Sequence, residues 1–405
     1  MILLWWFAAA MAAPIAPEAV VNAALRASPE VAIADAAVDR AEAELSAARG
    51  LRFNPTLDVR LGFGLPQHEV SLSQPLSWSG EGLAAAASAE AWVRASEAAA
   101  TRVRFVVAAE ARRALVTAIV ADATLAMAEE LLTLTVTLRT AAEARRQAGE
   151  VSDLEVQIAR LDEAAATADV VAATQVAHTT RSMLARLTGL PWDVELPPDP
   201  EAALPAEVQA TAERSDLIAT NAAEEAAHDA LRRERAAILP PVQVGVWAQA
   251  QNVGVYAGPD GVVIPSGSGN TAWTVGPSLT VTLPVFKANP AGRGEAAADV
   301  AVATAEARAA ETRAAVEAAQ VADQRALIAR VRAMPDPTGD AQAALAGLTQ
   351  AVTAGELSPA EATVMRARVM EAWRRSVAAR TPALEATLDI ALAEEWTSLL
   401  PAASP

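Results

Sequence analysis

The side chains that most often carry chemistry are thinly spread in this 405-residue chain. Its three histidines, His68, His178 and His228, stand far apart. None shows the short spacing by which one helix or loop offers two imidazoles to a metal. His68 reads as part of a tight turn (Leu65–His68) and the other two as members of polar helix faces, so surface or satisfied positions suit all three better than ligation. Cysteine is absent, which removes disulfides, zinc–thiolate sites and an N-terminal lipid on Cys. Ser266 and Ser268 lie in a stretch from Gly258 to Gly269 that is too irregular to cradle phosphate, and neither has a partner base for nucleophilic attack. A net charge of −17 without Lys/Arg clusters argues against a nucleic-acid partner. The many Glu and Arg residues are accounted for by i,i+4 pairing along helices. No catalytic residue, metal site or cofactor is expected, and the chain reads as non-enzymatic.

What the chain does position is a set of strands. From Trp273 to Phe286 the residues Trp273, Val275, Leu279, Val281, Leu283 and Val285 share one parity. Thr274, Gly276, Ser278, Thr280 and Thr282 share the other. A two-residue period gives a strand with one apolar and one small, polar face. Such a strand suits a soluble sheet, or a barrel wall with lipid outside and water inside. The same alternation places strands at 55–64, 69–79 and 241–251, with the fourth at 272–286; Ser71 and Ser73 lie on the polar parity of the second. The first two form a hairpin, and a Gly/Pro/Ser-rich loop from about Asn252 to Asn270 joins the last two. Trp78, Trp247, Trp273 and Tyr256 fit either interface aromatics or core packing.

Between the strands the chain is Ala-rich helix. A helix from Pro17 ends before Gly50, interrupted at Ser28-Pro29, where Ser28 caps the restart. Leu83 to about Ala148 holds neither Pro nor Gly; at 1.5 Å per residue it runs about 100 Å, a length that calls for coiled-coil packing. Gly149 ends it, and helix resumes from Val151 to about Leu187. Beyond a Pro-rich linker, helices are expected from Leu204 to Ala237, from an Asn289-Pro290 N-cap to Met334, on to Ala354, and from Pro359 to about Leu399. The order helix, hairpin, long helix, turn, helix thus occurs twice. Ala148-Gly149-Glu150-Val151-Ser152 returns as Ala354-Gly355-Glu356-Leu357-Ser358. The chain divides into two structural repeats, 13–200 and 201–405, with hairpin tips near 149 and 355. Residues 1–12, a short apolar run ending in Ala10-Met11-Ala12, have the form of a signal peptide. No stretch reaches the roughly 18 apolar residues of a membrane-spanning helix.

Four strands cannot close a barrel, and open edges are not viable in lipid. The chain would have to pool strands with copies of itself: two copies give eight strands, three give twelve, and the helices that must also close a ring favour the wider assembly.

Arg214-Ser215-Asp216-Leu217 after the linker, Pro284-Val285-Phe286 with Gly292-Arg293 at a strand exit, and the two Ala-Gly-Glu-x-Ser turns carry a resemblance. On these residues the chain resembles the TolC-like outer-membrane factor (outer membrane efflux protein) family of tripartite efflux and type I secretion systems, from about Pro17 to Trp396. The resemblance implies a mainly α fold with a membrane β-barrel: a homotrimer whose twelve-stranded barrel sits in outer-membrane lipid above a large periplasmic α-helical tunnel. It implies a passive exit duct fed by an inner-membrane pump through a periplasmic adaptor. It places Gly149, Val151, Ser152, Gly355, Leu357 and Ser358 at tips that meet the adaptor, and Glu361 with Glu155 as acids at the tunnel entrance. Val364 stands where the family pattern has a further acid. A symmetric ring of Glu361 would repel anions and titrate at raised pKa. Ser71, Ser73, Thr274, Ser278, Thr280 and Thr282 would face the barrel lumen. The alternative, a periplasmic coiled-coil adaptor or structural protein of an export complex, is disfavoured by the duplicated strand pairs. Nothing marks the exported molecule as metal, drug or protein.

Overall fold

The computed structural model describes residues 14–50, 54–61, 68–76, 79–206, 213–238, 242–252, 255–257, 263–265, 271–281, 289–334 and 337–401, with backbone alone at 251–252, 255–257, 263–265, 271–272 and 337. The chain falls into two compact units. One comprises residues 1–33, 100–215 and 312–405; the other comprises 34–99 and 216–311.

The first unit is helical. It takes in α1 (Pro17–Ala27), the start of α2 (Pro29–Arg49), most of α3 (Glu81–Gln147) and α4 (Asp153–Thr188). It also holds the end of α6 (Pro290–Arg332), α7 (Pro337–Thr353) and α8 (Pro359–Ala393). Ser28 separates α1 from α2 as its residue type dictates: its N–H closes α1 on the Ala24 carbonyl, and its hydroxyl accepts the Val31 N–H at 3.2 Å. The main core gathers Val20, Phe105, Leu115, Ile119, Leu184, Leu388 and Trp396. A second cluster joins Met127, Leu131 and Leu134 of α3 to Leu345, Leu348 and Met370. Alanines at the contacts, such as Ala108, Ala111 and Ala391, are fully buried and let helix backbones approach closely.

The linker after α4 is pinned by arginines. Arg181 makes a bidentate pair with Asp122 (2.6 and 3.0 Å) and donates to the Trp192 and Val194 carbonyls. Trp192 in turn stacks on His178, with ring centroids 5.6 Å apart. Arg112 is buried and donates to the carbonyls of Ala203 (2.9 Å) and Ser398 (3.1 Å), tying linker and C-terminal segment to the middle of α3. Burial lowers the pKa of its guanidinium, and the charge of Glu18 opposes that shift.

The second unit carries the strands. β1 (Thr56–Leu61), β2 (His68–Leu76), β3 (Val242–Asn252) and β6 (Thr271–Val281) form one antiparallel sheet in the order β1-β2-β3-β6. Strand pairs from the two sequence halves therefore lie side by side. Its helices include α5 (Ser215–Ala236), held to α3 by the Ser88 hydroxyl on the Ala226 carbonyl and to α6 by Thr304 on Glu224.

Several expectations are corrected. His68 opens β2 rather than lying in a turn. Residues 200–203 form a 3-10 turn and Leu204 is extended, because the following Pro205 disfavours helix; α5 begins only at Ser215. α8 stops at Ala393, and 397–399 is a separate 3-10 turn. The loop between β3 and β6 contains a small hairpin, β4 (Val255–Ala257) with β5 (Val263–Pro265). Asn289 precedes α6 with φ 42° and donates its side-chain amide to Glu234 at 2.7 Å.

Candidate functional site

Register decides what the sheet can do. Residues directly opposite in antiparallel strands share a face. One row runs Leu57–Leu72–Val246–Pro277, and the next runs Val59–Val70–Ala248–Val275. Leu76, Val242 and Val281 align on the same side, as do Val244 and Leu279. Apart from His68 and Gln74 this face is apolar across four strands, and much of it is uncovered: Leu61 is 76% exposed, and Val275 and Leu279 are each 70% exposed. An apolar area of that extent requires lipid or a partner.

The other face is polar. Thr56–Ser73–Gly245–Ser278 makes one row, Asp58–Ser71–Trp247–Gly276 the second, and Arg60–Glu69–Gln249–Thr274 the third. Thr280 sits opposite Gln243. The structure therefore brings Ser71, Ser73, Thr274, Ser278 and Thr280 onto one face, while Thr282 lies outside the described residues. Arg60 pairs with Asp58 (3.4 Å) and Glu69 (3.7 Å) there. Trp247 belongs to this polar face and Trp273 to the apolar one. Trp78 and the Tyr256 side chain fall outside the description.

Within the described sheet β1 pairs only with β2, and β6 only with β3. Two edges of unpaired backbone donors and acceptors are left, the arrangement that sheet proteins pair, cover or close.

The two helical turns are built alike. Gly149 has φ 78°; its N–H reaches the Arg146 carbonyl and the Glu150 N–H reaches that of Arg145, both at 2.9 Å. Gly355 has φ 77°, with Gly355 on Val352 (3.1 Å) and Glu356 on Ala351 (2.9 Å). These are Schellman closures, which need a left-handed residue. Ser152 and Ser358 then cap α4 and α8, each accepting the N–H three residues on at 3.3 Å. Val151 and Leu357 are half-buried, Leu357 against the second core cluster, whereas Gly149, Gly355, Glu155 and Glu361 are exposed. Substituting Gly149 or Gly355 by Ala is expected to destabilise its turn by about 1–2 kcal/mol, read as faster hydrogen exchange confined to that tip.

Glu361 is not a free entrance acid in the single chain. It completes a capping box: its carboxylate accepts the Ser358 hydroxyl (2.7 Å) and N–H (3.1 Å). Those bonds, with the charge of Arg145, hold its carboxyl below the usual glutamate range rather than raising it. A folded pKa below the unfolded one means that the box stabilises above the unfolded value and is lost as pH falls through the folded one. Exchange at the start of α8, corrected for intrinsic rates, should therefore quicken in acid, and Glu361→Gln should abolish that step. At the first tip the Ser152 hydroxyl donates to the Glu155 carboxylate at a longer 3.4 Å.

Among the described residues no group of three or more His, Asp or Glu could hold a metal ion, and no helix is long and apolar enough to cross a membrane.

No family model and no curated protein matches the sequence. Solved structures do match. VceC, an outer membrane protein of Vibrio cholerae, superposes with a TM-score of 0.65 and 19% identity over 93% of this chain and 95% of its own. The outer-membrane channel OprN gives 0.65 and 20% identity over 93% and 89%. The Campylobacter jejuni CmeC outer membrane channel gives 0.65 and 14% identity over 93% and 85%. The chain has the TolC-like outer-membrane channel fold.

Proposed function

We propose that the chain is the outer-membrane exit duct of a tripartite efflux or type I secretion system, a passive conduit for substrate delivered by an inner-membrane pump through a periplasmic adaptor. The observation that carries this reading is the register of the four-stranded sheet. It separates an exposed apolar face from a polar one and leaves both edges open. In a bilayer only a closed barrel satisfies such backbone groups, and about eight strands are the fewest that close. Three copies would supply twelve strands with the apolar face to lipid and Ser71, Ser73, Thr274, Ser278 and Thr280 to water; Thr282 continues that parity. Likeness of fold to outer-membrane channels supports the same placement.

The duct performs no covalent step. Its working parts are a closed wall, a polar lumen and two tips: Gly149, Val151 and Ser152 of the first and Gly355, Leu357 and Ser358 of the second are assigned to adaptor contact. Glu361, and Glu155 at the matching place, are assigned to the tunnel entrance, where Glu361 would narrow the opening while bonded to its own cap. Extraction of the full chain from membranes in detergent, followed by particle imaging, tests the reading. A trimer with a barrel and a helical tunnel is expected; a monomer recovered without detergent would overturn it.

A further inference from the structure

On the polar face one large aromatic residue interrupts the run of small side chains. A Cβ built on Gly276 would lie 3.1–3.2 Å from Cζ2, Cε2 and Nε1 of Trp247. The indole rim of Trp247 therefore packs directly on the Gly276 backbone. Any side chain at 276 would lift it. Trp247 is half-buried, so part of the indole stays accessible.

Two carboxylates lie on the same face of the sheet as this indole. Asp58 lies in the same row as Trp247, two strands away, which is about 10 Å at the backbone. Glu69 lies in the adjoining row. Arg60 bridges both acids, so two negative charges share one guanidinium and the patch keeps a negative excess. A partly accessible indole beside surplus carboxylate charge is the combination that attracts cations, and best those with a weakly hydrated apolar body. Inorganic cations keep their water, and anions are repelled.

We propose that Trp247, with Asp58 and Glu69, forms a contact for organic cations on the lumen wall and so favours or delays them among transported molecules. The inference rests on the duct reading above. In the symmetric assembly three such platforms would face one lumen.

The test uses the purified full chain in planar bilayers carrying a KCl current, with benzyltrimethylammonium as probe and neutral benzyl alcohol as control. The wild-type current should fall with added benzyltrimethylammonium and not with benzyl alcohol. Trp247→Leu should raise the half-blocking concentration about three- to thirty-fold while leaving KCl conductance close to wild type. The double variant Asp58→Asn, Glu69→Gln should also weaken the block, and it decides the matter if Trp247→Leu fails to insert. Equal block in wild type and in the variants that insert, or equal action by benzyl alcohol, would overturn the inference and leave the duct reading standing. If the wild-type protein carries no current at all, the duct reading falls and this inference falls with it.

Discussion

Leu279→Arg should abolish the membrane-embedded trimer, whereas Thr280→Arg, one residue along, should assemble. The two positions differ in face alone. Leu279 is opposite Val244 on the apolar side and Thr280 is opposite Gln243 on the polar side. Neither side chain is needed for the packing of the isolated chain, since both are exposed. A soluble sheet would therefore tolerate either charge. In a barrel wall, an arginine facing lipid near mid-membrane costs roughly 2–4 kcal/mol, and three symmetric copies multiply this to roughly 6–12 kcal/mol. A lumen arginine stays in water at little cost. The readout is the trimer band from membranes on a non-denaturing gel, with total expression as control. Equal assembly of the two variants would contradict the lipid-facing assignment.

The contrast between these neighbours was legible in the sequence because a two-residue period is a local property. The same holds for the tips: a Gly followed three residues later by a Ser N-cap needs only short-range geometry, and both turns appear as expected. What was not legible depends on distant partners. Trp247 fell on the polar parity, but only the register of β3 against β6 sets its ring on Gly276. Nothing in an Ala-rich helix distinguishes the buried Arg112 from its exposed neighbours, because its acceptors are carbonyls at 203 and 398. No helix starts at Leu204, because Pro205 holds that residue extended. The end of α8 at Ala393 is not legible because neither Gly nor Pro marks it. A glutamate takes the left-handed position instead.

That glutamate supports the second large prediction. Glu395 has φ 50°, and the N–H groups of Glu395 and Trp396 close α8 on the carbonyls of Leu392 (3.3 Å) and Ala391 (2.8 Å). The position would suit glycine; it holds a residue whose side chain is only 2% exposed. The carboxylate explains the exception. It accepts the Ser215 N–H (2.8 Å), the Ser215 hydroxyl (2.5 Å) and the Arg102 guanidinium (3.1 Å). A buried negative charge thus sits against the Ser215 N–H, where the dipole of a helix N-terminus favours it, and fixes Arg214 and Ser215 beside the end of α8. Arg214 anchors the segment again through Glu317 at 2.7 Å. Glu395→Ala should cost roughly 3–5 kcal/mol, since it leaves a partly buried arginine and a buried N–H without their acceptor. Glu395→Gly should cost less than Ala by about 1–2 kcal/mol, because it relieves the left-handed strain while losing the same bonds. That ranking reverses the usual helix scale, in which Gly is the worse residue. Adding Arg102→Ala to Glu395→Ala should cost less than Arg102→Ala alone, as the two share one interaction. Denaturant unfolding of the four variants measures the ranking. An Ala variant as stable as wild type, or one more stable than Gly, would mean that the carboxylate does not hold this junction and that the strained backbone at 395 has another cause.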